Sequence, residues 1–236
     1  MVKKNTNKES VKETLADSIC TKIRTDIVMG NLQPGEKIKP KDLAERYGVS
    51  ETPVKLALNR LISEQIIENF PRQGMRIKEI DVDEAADNFD VRMMMDLYYT
   101  KEIIEAVNMS SSLQKALTTN IEEHTKLLTE KRDDMTDVEL FQKNYLLDYE
   151  FHKTYLKCSG NKKLVDLYKH SNPFMYSNFI FSKQSKQKDL AGLEEHKQIL
   201  QAILDQDEER LCKWIRIHME NAKKAISLII KTDKIN

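Results

Sequence analysis

Apolar residues recur at every third or fourth position along most of the chain, and this period predicts amphipathic α-helices. Residues 10–29 show the pattern, with Leu15, Ile19, Ile23 and Ile27 on one helical face. The chain has only six glycines and five prolines, most of them in its first third, so few residues interrupt a helix later on. The pattern therefore predicts a mainly α protein.

The first 80 residues combine three short helices with turn signals. A Pro-Gly turn in "NLQPGEKI" follows the first helix, and "KPKDLAERYG" predicts a second helix that stops at Gly48. Ser50 suits the N-cap of a third helix because its side-chain oxygen can accept from free amides of the first turn. Pro53 falls within that turn, where a missing N–H costs little, and the helix runs to about Ser63.

Two short apolar segments, "QIIENF" and "GMRIKEI", flank the turn sequence "PRQG" and predict a two-stranded β-hairpin. Three helices followed by a hairpin make a winged helix-turn-helix domain in residues 1–80. Long amphipathic helices then predict an all-helical bundle in residues 81–236. The predicted helices of the bundle span residues 83–107, 110–131, 136–158, 162–182 with a break near Pro173, 189–205 and 208–231.

Charge is balanced over the whole chain, with 38 basic and 38 acidic residues, but it is unevenly distributed. Residues 1–80 hold 15 Lys and Arg against 11 Asp and Glu, a net charge of +4, so the remainder carries −4. A basic first part joined to an acidic remainder is typical of a nucleic-acid-binding module attached to a second domain.

The pattern does not predict a membrane or secreted protein. No apolar run approaches the ~18 residues that a membrane span needs. The first seven residues are polar and lack the apolar segment of a signal peptide. The three cysteines, Cys20, Cys158 and Cys212, are widely spaced and odd in number, as expected for reduced thiols. We therefore expect a cytoplasmic protein.

The third helix and the tip of the hairpin carry the residue types that contact DNA. A recognition helix places its N-terminal residues at base edges and phosphates, and a wing can reach a neighbouring groove. Glycine at the wing tip permits a close approach, and arginine suits a phosphate or a narrow groove. The alternative is a winged helix that contacts another protein. The candidate DNA-binding residues are Lys41, Ser50, Glu51, Thr52, Lys55, Arg60, Arg72, Gln73 and Gly74.

Four residues of the predicted bundle have the pattern of a metal site. Asp148 and His152 are four residues apart on one helical face, and His196 and His218 lie on the apolar stripes of two other helices. One carboxylate and three imidazoles suit a divalent ion such as Zn, Mn or Ni and leave positions open for water or an anion. The alternative is that each histidine is a hydrogen-bonded core residue, as expected for His124, which also lies among apolar positions.

The stretch from residue 23 to residue 80 resembles the DNA-binding domain of the GntR family of bacterial transcription regulators. The matching patterns are G-x-L-x-P-G-E-x-I, L-A-E-x-x-G-V-S-x-T-P-V-K-x-A-L-x-R-L and the glycine of the wing. Family members usually carry operator-contacting arginines where this chain has Glu51 and Lys55. The difference predicts an operator unlike the common half-site, since Glu51 could accept a hydrogen bond from cytosine.

The last 150 residues resemble the all-helical FCD effector domain of the FadR subfamily. The resemblance rests on Arg92 in "VRMMMD", on "DYEFH" at 148–152, "SGNKKL" at 159–164 and "EHKQILQAI" at 195–203, and on His218 followed by Met. It implies a divalent metal at the Asp148, His152, His196 and His218 positions. It also implies a small organic acid whose carboxylate takes the open metal positions.

Two further residues are candidate contacts for that acid. Arg92 could hold the far end of the acid by a bidentate pair, or could form an ion pair with Asp87 or Asp96. Asn161 could contact the ligand or cap a helix. Asp96 occupies a position where the family commonly has glutamate.

The resemblance implies a repressor that responds to a metabolite, with no enzymatic activity. A two-fold homodimer would bind double-stranded DNA at an inverted repeat, one half-site for each winged helix. One alternative is a regulator of the same family with a metal-free pocket for an acyl or other apolar ligand. A metalloenzyme is a further alternative, against which stands the absence of a partner general base at suitable spacing.

Overall fold

The protein is described by a computed structural model, and its description covers residues 14–79, 81–130, 134–170 and 185–233. These residues form a mainly helical structure with a small antiparallel sheet, as the sequence predicts. The first part contains α1 Leu15–Val28, β1 Lys37–Ile38, α2 Pro40–Tyr47, α3 Glu51–Ser63, β2 Ile67–Phe70 and β3 Gly74–Ile77. The second part contains α4 Val82–Tyr98, α5 Thr100–Met109, α6 Ser111–Thr129, α7 Asp137–Lys157, α8 Lys162–His170, α9 Lys186–Leu204 and α10 Glu208–Asp233.

The first part is a winged helix-turn-helix. Gly48 ends α2 in the left-handed conformation, at φ 65° and ψ 37°, which glycine adopts without strain. Ser50 occupies the N-cap of α3, but its side chain makes no capping hydrogen bond, so the capping contact predicted for its oxygen is wrong. The hydroxyl of Ser50 is exposed and remains available to another partner.

The sheet contains one strand more than the predicted hairpin. Its order is β1-β3-β2, with both pairs antiparallel and Ile38 opposite Met75 in the added pair. With only two residues, β1 is too short for an alternating pattern to reveal it. One apolar cluster holds the sheet and α1–α3 together, and its fully buried members include Ile19, Ile23 and Leu61.

A second apolar cluster holds the helices from α4 to α10 together. The sequence predicts one helix over 83–107, whereas the chain breaks at Tyr99, where φ is −111° and ψ is 28°. Thr100 follows the break, is 4% exposed and donates a 2.8 Å hydrogen bond to Glu208 at the start of α10. Apolar periodicity continues through such a break, so it does not reveal the change of direction.

Helix α1 begins at Leu15 and not at residue 10 as predicted, because Thr14 caps its N-terminus. The other helices follow the predicted ranges to within a few residues. The predicted helix 162–182 is the exception, because α8 spans Lys162–His170 and the rest of that range, with Pro173, lies outside the described residues. No helix in the described ranges is both long enough and apolar enough to span a membrane.

Candidate metal centre and nucleic-acid interface

Three helices bring the four predicted metal ligands together. Asp148 and His152 stand on α7, His196 on α9 and His218 on α10. One potential ligand atom from each lies within 4.8 Å of the others, and this is the one such group of His, Cys, Asp and Glu among the described residues. The three histidines are buried, at 5% exposure or less, whereas the side chain of Asp148 is 31% exposed.

The Nε2 atoms of the three histidines face one another. His152 Nε2 lies 3.1 Å from His218 Nε2, and His196 Nε2 lies 3.2 Å from each of them. Asp148 Oδ1 lies 3.5 Å from His196 Nε2, which places one carboxylate oxygen beside the three nitrogens. The ring of Phe151 stacks on His196 with centroids 4.1 Å apart and helps to hold that imidazole in place.

Carboxylates behind two of the rings fix which nitrogen carries the proton. His152 Nδ1 donates to Asp96 at 2.9 Å, and His218 Nδ1 donates to Glu195 at 2.8 Å. In the neutral rings Nε2 then holds a lone pair. Lone pairs that face each other at 3.1 Å repel, and a cation between them turns this repulsion into attraction. A carboxylate behind the imidazole is also the usual second contact of a metal-bound histidine.

Burial and neighbouring charge shift the pKa values of three of these groups toward the protonation states that bind metals. Burial lowers the pKa of His152, and burial together with His218 and His152 lowers the pKa of His196 far below its ordinary value. Burial raises the pKa of Asp148, but the fields of His152, His218 and Arg92 outweigh it, so the net pKa lies below the ordinary value. Neutral imidazoles and a charged carboxylate are the forms that bind metals.

The spacing of the donor atoms also fits a divalent ion. With metal–nitrogen bonds of about 2.0–2.1 Å, neighbouring nitrogens lie about 3.4 Å apart around a tetrahedral ion and about 2.9 Å apart around an octahedral one. The 3.1–3.2 Å separations of the three Nε2 atoms lie between these values. The three imidazole nitrogens therefore fit one divalent metal, and the nearby carboxylate of Asp148 could complete the set if it moved closer.

A cavity of about 350 Å³ adjoins this group. Asp148 and His218 form part of its wall, so the partly exposed side of Asp148 faces space that a ligand can enter. The polar part of the wall also includes Arg92, His124, Asn144, Lys188 and Asn221, and the apolar part includes Phe89, Leu193, Ala222, Ala225 and Ile226.

Arg92 is a buried cation on the cavity wall. It is 4% exposed, and its guanidinium carbon lies 5.4 Å from the ring centre of Phe89 and 5.5 Å from that of Tyr168. Its Nε atom has no hydrogen-bond partner. No ion pair joins it to Asp87 or Asp96, and the Asp96 carboxylate binds His152 instead. Burial lowers the pKa of Arg92, yet the neighbouring Tyr168, Asp148 and Asp96 outweigh burial and raise it.

Asn161, the second candidate ligand contact, is not among the residues that line the cavity. Its Oδ1 accepts from the backbone N–H of Lys163 at 3.1 Å and of Leu164 at 3.3 Å, which caps α8. Its Nδ2 donates to the hydroxyl of Tyr99 at 3.0 Å. This placement favours the helix-capping alternative, because the cap and Tyr99 occupy the polar groups of its side chain.

His124 is a wall residue that sequence reasoning assigned to the core. It is 3% exposed, and its Nε2 lies 2.6 Å from Oδ1 of Asn144, which also lines the cavity. Its ring centre lies 6.3 Å from that of His196. The apolar stripe of α6 correctly indicates that His124 is buried, but periodicity cannot show that the ring borders a cavity.

The recognition helix α3 exposes its first turn and carries a mixed charge there. Glu51 and Lys55 form an ion pair at 2.7 Å, with side chains 45% and 58% exposed. Ser50 and Thr52 are exposed beside this pair. The carboxylate of Glu51 has a lowered pKa because Lys55 donates to it and attracts it.

Two other predicted DNA contacts also have partners within the chain. Lys41 on α2 lies 3.9 Å from Glu45, and Arg60 on α3 pairs with Asp17 of α1. At the wing tip, Arg72 and Gln73 are exposed, and Arg72 has a positive φ of 63°. Gly74 follows at φ 92°, a conformation that favours glycine.

A winged helix joined to a helical domain with a ligand-sized cavity is the organisation of a transcription regulator. The model of the family "Bacterial regulatory proteins, gntR family" matches residues 15–77, and that of the "FCD domain" matches residues 87–221. The chain belongs to the GntR family of bacterial regulators and carries an FCD domain. Both matched domains are those of transcription regulators, so the protein is a transcription regulator.

Individual proteins resemble the chain over most of its length. The uncharacterized HTH-type transcriptional regulator YdhC of Bacillus subtilis is 22% identical over 89% of this chain and 90% of its own length. The gluconate operon transcriptional repressor of Bacillus licheniformis is 23% identical over 87% of this chain and 82% of its own. The solved structure of McbR/YncC of Escherichia coli shares the fold with a TM-score of 0.68 at 18% identity, covering 93% of this chain and 98% of that one.

Proposed function

We propose that this regulator binds its operator with an affinity set by a small carboxylate, which is held at a divalent metal in the helical domain. The observation that carries the proposal is the convergence of three Nε2 atoms and one carboxylate on the wall of a ligand-sized cavity. The carboxylates behind His152 and His218 direct two of these nitrogens' lone pairs at each other across 3.1 Å, an arrangement that a core of hydrogen-bonded histidines would avoid.

The residues of the site would have two separate roles: four would bind the metal, and Arg92 would bind the acid. His152, His196, His218 and Asp148 would hold the ion, which supplies positive charge and open coordination positions for an anion. Arg92 lies on the same wall and keeps its charge despite burial, so it attracts a carboxylate and orients it. The apolar part of the wall lowers the local polarity and so strengthens these attractions.

The DNA-binding half of the proposal rests on α3 and the wing. Ser50, Thr52 and Lys55 expose groups that can reach phosphates and base edges, and Arg72 and Gln73 extend from the wing tip. Two chains related by a two-fold axis would place two such surfaces on an inverted repeat of double-stranded DNA. The repressor among the relatives supports negative control of transcription.

Helix α7 offers a physical connection between the two activities. It carries Asp148 and His152, and Gln142 on the same helix donates a 3.0 Å hydrogen bond to the hydroxyl of Thr25 on α1. An acid that binds the DNA-competent and DNA-incompetent states unequally shifts their populations. A small displacement of α7 on binding would bias the position of the DNA-binding part through this contact.

Metal content per chain is the measurement that tests the proposal first. The protein should be purified without a chelator and without a nickel column, and then analysed by elemental mass spectrometry. We expect about one divalent ion per chain in the parent and none in His196→Ala, because that variant loses a central nitrogen ligand. The matched control is Lys197→Ala, which changes the adjacent, partly exposed residue.

Operator binding then tests the regulatory step. The parent and His196→Ala should bind operator DNA alike, and a panel of small acids should change the affinity of the parent alone. If the parent held no metal after incubation with Zn, Mn or Ni, the histidines would be polar core residues. The proposed effector would then be wrong, while the assignment as a transcription regulator would stand.

A further inference from the structure

Leu56 is an apolar side chain that lies open to solvent on the outer face of α3. It is 58% exposed, and it is not among the residues that pack against the apolar cluster of the first part. Successive residues of an α-helix are rotated by about 100°, so Leu56 lies on the side of α3 opposite to the buried Val54 and Leu58. The side chain of Leu56 therefore points away from the protein and toward whatever α3 binds.

Three polar residues share this outer face with Leu56. Thr52, Lys55 and Asn59 are all exposed, and together with Leu56 they occupy positions i, i+3, i+4 and i+7 of the helix. This spacing places side chains along one helical face, and a recognition helix in the major groove meets base edges through one face. Each of the three polar side chains can form hydrogen bonds, so Leu56 is the member of this set that offers only apolar contact.

The 5-methyl group of thymine is the apolar group of the major groove that such a side chain can recognise. A leucine held against polar base edges would remove them from water without a hydrogen bond, which is unfavourable. Against a methyl group, two apolar surfaces leave water together, which is favourable. We propose that Leu56 selects thymine in the operator by contacting this methyl group. The inference rests on DNA binding through α3, as proposed above, and adds a base preference that Glu51 and Lys55 do not supply.

Uracil tests the inference, because it differs from thymine only in lacking the 5-methyl group. The full chain first selects its operator from a pool of random duplexes. Each thymine of one selected duplex is then replaced by uracil in turn, and fluorescence anisotropy measures the dissociation constant of each duplex. We expect one thymine in each half-site at which uracil weakens binding about fourfold, which is the effect of losing one buried methyl group.

Two substitutions assign that thymine to Leu56. Leu56→Ala makes the side chain too short to reach the base, so this variant should bind the thymine and uracil duplexes with equal affinity. Leu56→Met keeps an apolar side chain of similar reach and should retain the preference for thymine. Both new residues favour helices and the position is exposed, so neither change should disturb the fold. The matched control is Leu146→Ala, at a position of α7 that is 55% exposed, and it should keep the parental preference.

The outcomes separate the role of Leu56 from DNA binding itself. If uracil weakened binding at no position, or if the selected half-site contained no thymine, the inference would be wrong while operator binding would stand. A preference for thymine that persisted in Leu56→Ala would assign the methyl group to another residue, such as Thr52, and would also overturn the inference. If the full chain selected no sequence, the proposed operator binding would be wrong, and the role of Leu56 would be wrong with it.

Discussion

At the scale of single residues, the carboxylates behind the histidines decide whether four polar side chains become a metal site. Asp96 and Glu195 accept from Nδ1 of His152 and His218, and so direct the two Nε2 lone pairs inward. Without these acceptors either ring could adopt the other tautomer and satisfy its neighbour by an ordinary hydrogen bond. Asp96 is 1% exposed, so its hydrogen bond to His152 is shielded from water.

Asp96→Asn should weaken metal binding without removing a ligand. The amide is a poorer acceptor than the carboxylate, so the tautomer and orientation of His152 are less firmly held. Changes to such outer contacts lower metal affinity by about 10–100-fold. Competition with a chromophoric chelator measures the loss, and Asp87→Asn, at an exposed position of the same helix, should retain parental affinity. Equal affinities for Asp96→Asn and the parent would show that His152 needs no carboxylate behind it.

Single-residue roles could be predicted only where they follow from spacing. The four-residue interval between Asp148 and His152 and the apolar stripes around His196 and His218 indicate inward-facing ligands, and the structure brings these groups together. The sequence could not show that Asp96 pairs with His152, because the two residues are 56 positions apart and ring rotation decides the contact.

At the scale of elements, α3 differs from a simple cationic recognition helix. The ion pair of Glu51 with Lys55 occupies its first turn, so one positive charge that could meet a phosphate is already compensated. Glu51 itself repels phosphates, and its useful partners in the major groove are base amino groups.

Glu51→Gln should therefore strengthen sequence-independent DNA binding. The substitution removes a negative charge and frees Lys55 for a phosphate, which should steepen the salt slope by about 0.9 for one added phosphate contact. Fluorescence anisotropy on random duplex DNA at several salt concentrations measures this slope. The reverse control is Lys55→Ala, which should weaken binding to the operator. An unchanged slope in Glu51→Gln would mean that Lys55 does not reach the backbone.

Two glycines should respond in opposite directions to the same substitution. A Cβ on Gly48 would touch nothing within 4 Å, so Gly48→Ala costs only the left-handed backbone, about 1–2 kcal/mol. A Cβ on Gly192, inside α9, would also be in open space, and Gly192→Ala should stabilise by about 0.5–1 kcal/mol. Urea unfolding of both variants measures these free energies. A gain in stability for Gly48→Ala would contradict the left-handed turn between α2 and α3.

The order of elements was largely predictable, because helices and the hairpin have periods that repeat over several residues. The two-residue strand β1 and the break at Tyr99 could not be predicted from the sequence. Both depend on contacts with distant residues, β1 on its pairing with β3 and the break on the bond between Thr100 and Glu208. The residues next to β1 and Tyr99 in the sequence do not indicate which distant residues these elements will contact.

At the scale of the whole molecule, the described residues form two apolar clusters, and the candidate metal site lies among the helices that the second cluster holds together. The single tryptophan, Trp214, packs against the second cluster, so its fluorescence reports on the helical domain alone. This arrangement allows the contribution of the metal to be measured separately from the stability of the DNA-binding part.

Metal removal should lower the melting temperature reported by Trp214. An ion present at 100 times its dissociation constant stabilises the folded state by about 2.7 kcal/mol. For a domain of this size that free energy corresponds to roughly 5–10 °C. Thermal scans with and without EDTA measure the shift, and His196→Ala should melt at the same temperature in both. If the parent contained metal but its melting temperature did not change with EDTA, the ion would contribute little to the stability of the fold.

The pairing of Glu51 with Lys55 has a consequence for how the protein searches a genome. In a genome, millions of non-specific DNA sites compete with the operator for a regulator. A protein with a strongly cationic DNA-binding surface is bound to these sites most of the time. Because the charge in the first turn of α3 is compensated, the protein should bind such sites weakly and dissociate from them quickly. Fewer copies of the protein would then suffice to occupy an operator, because discrimination against the background rises even when the affinity for the operator does not.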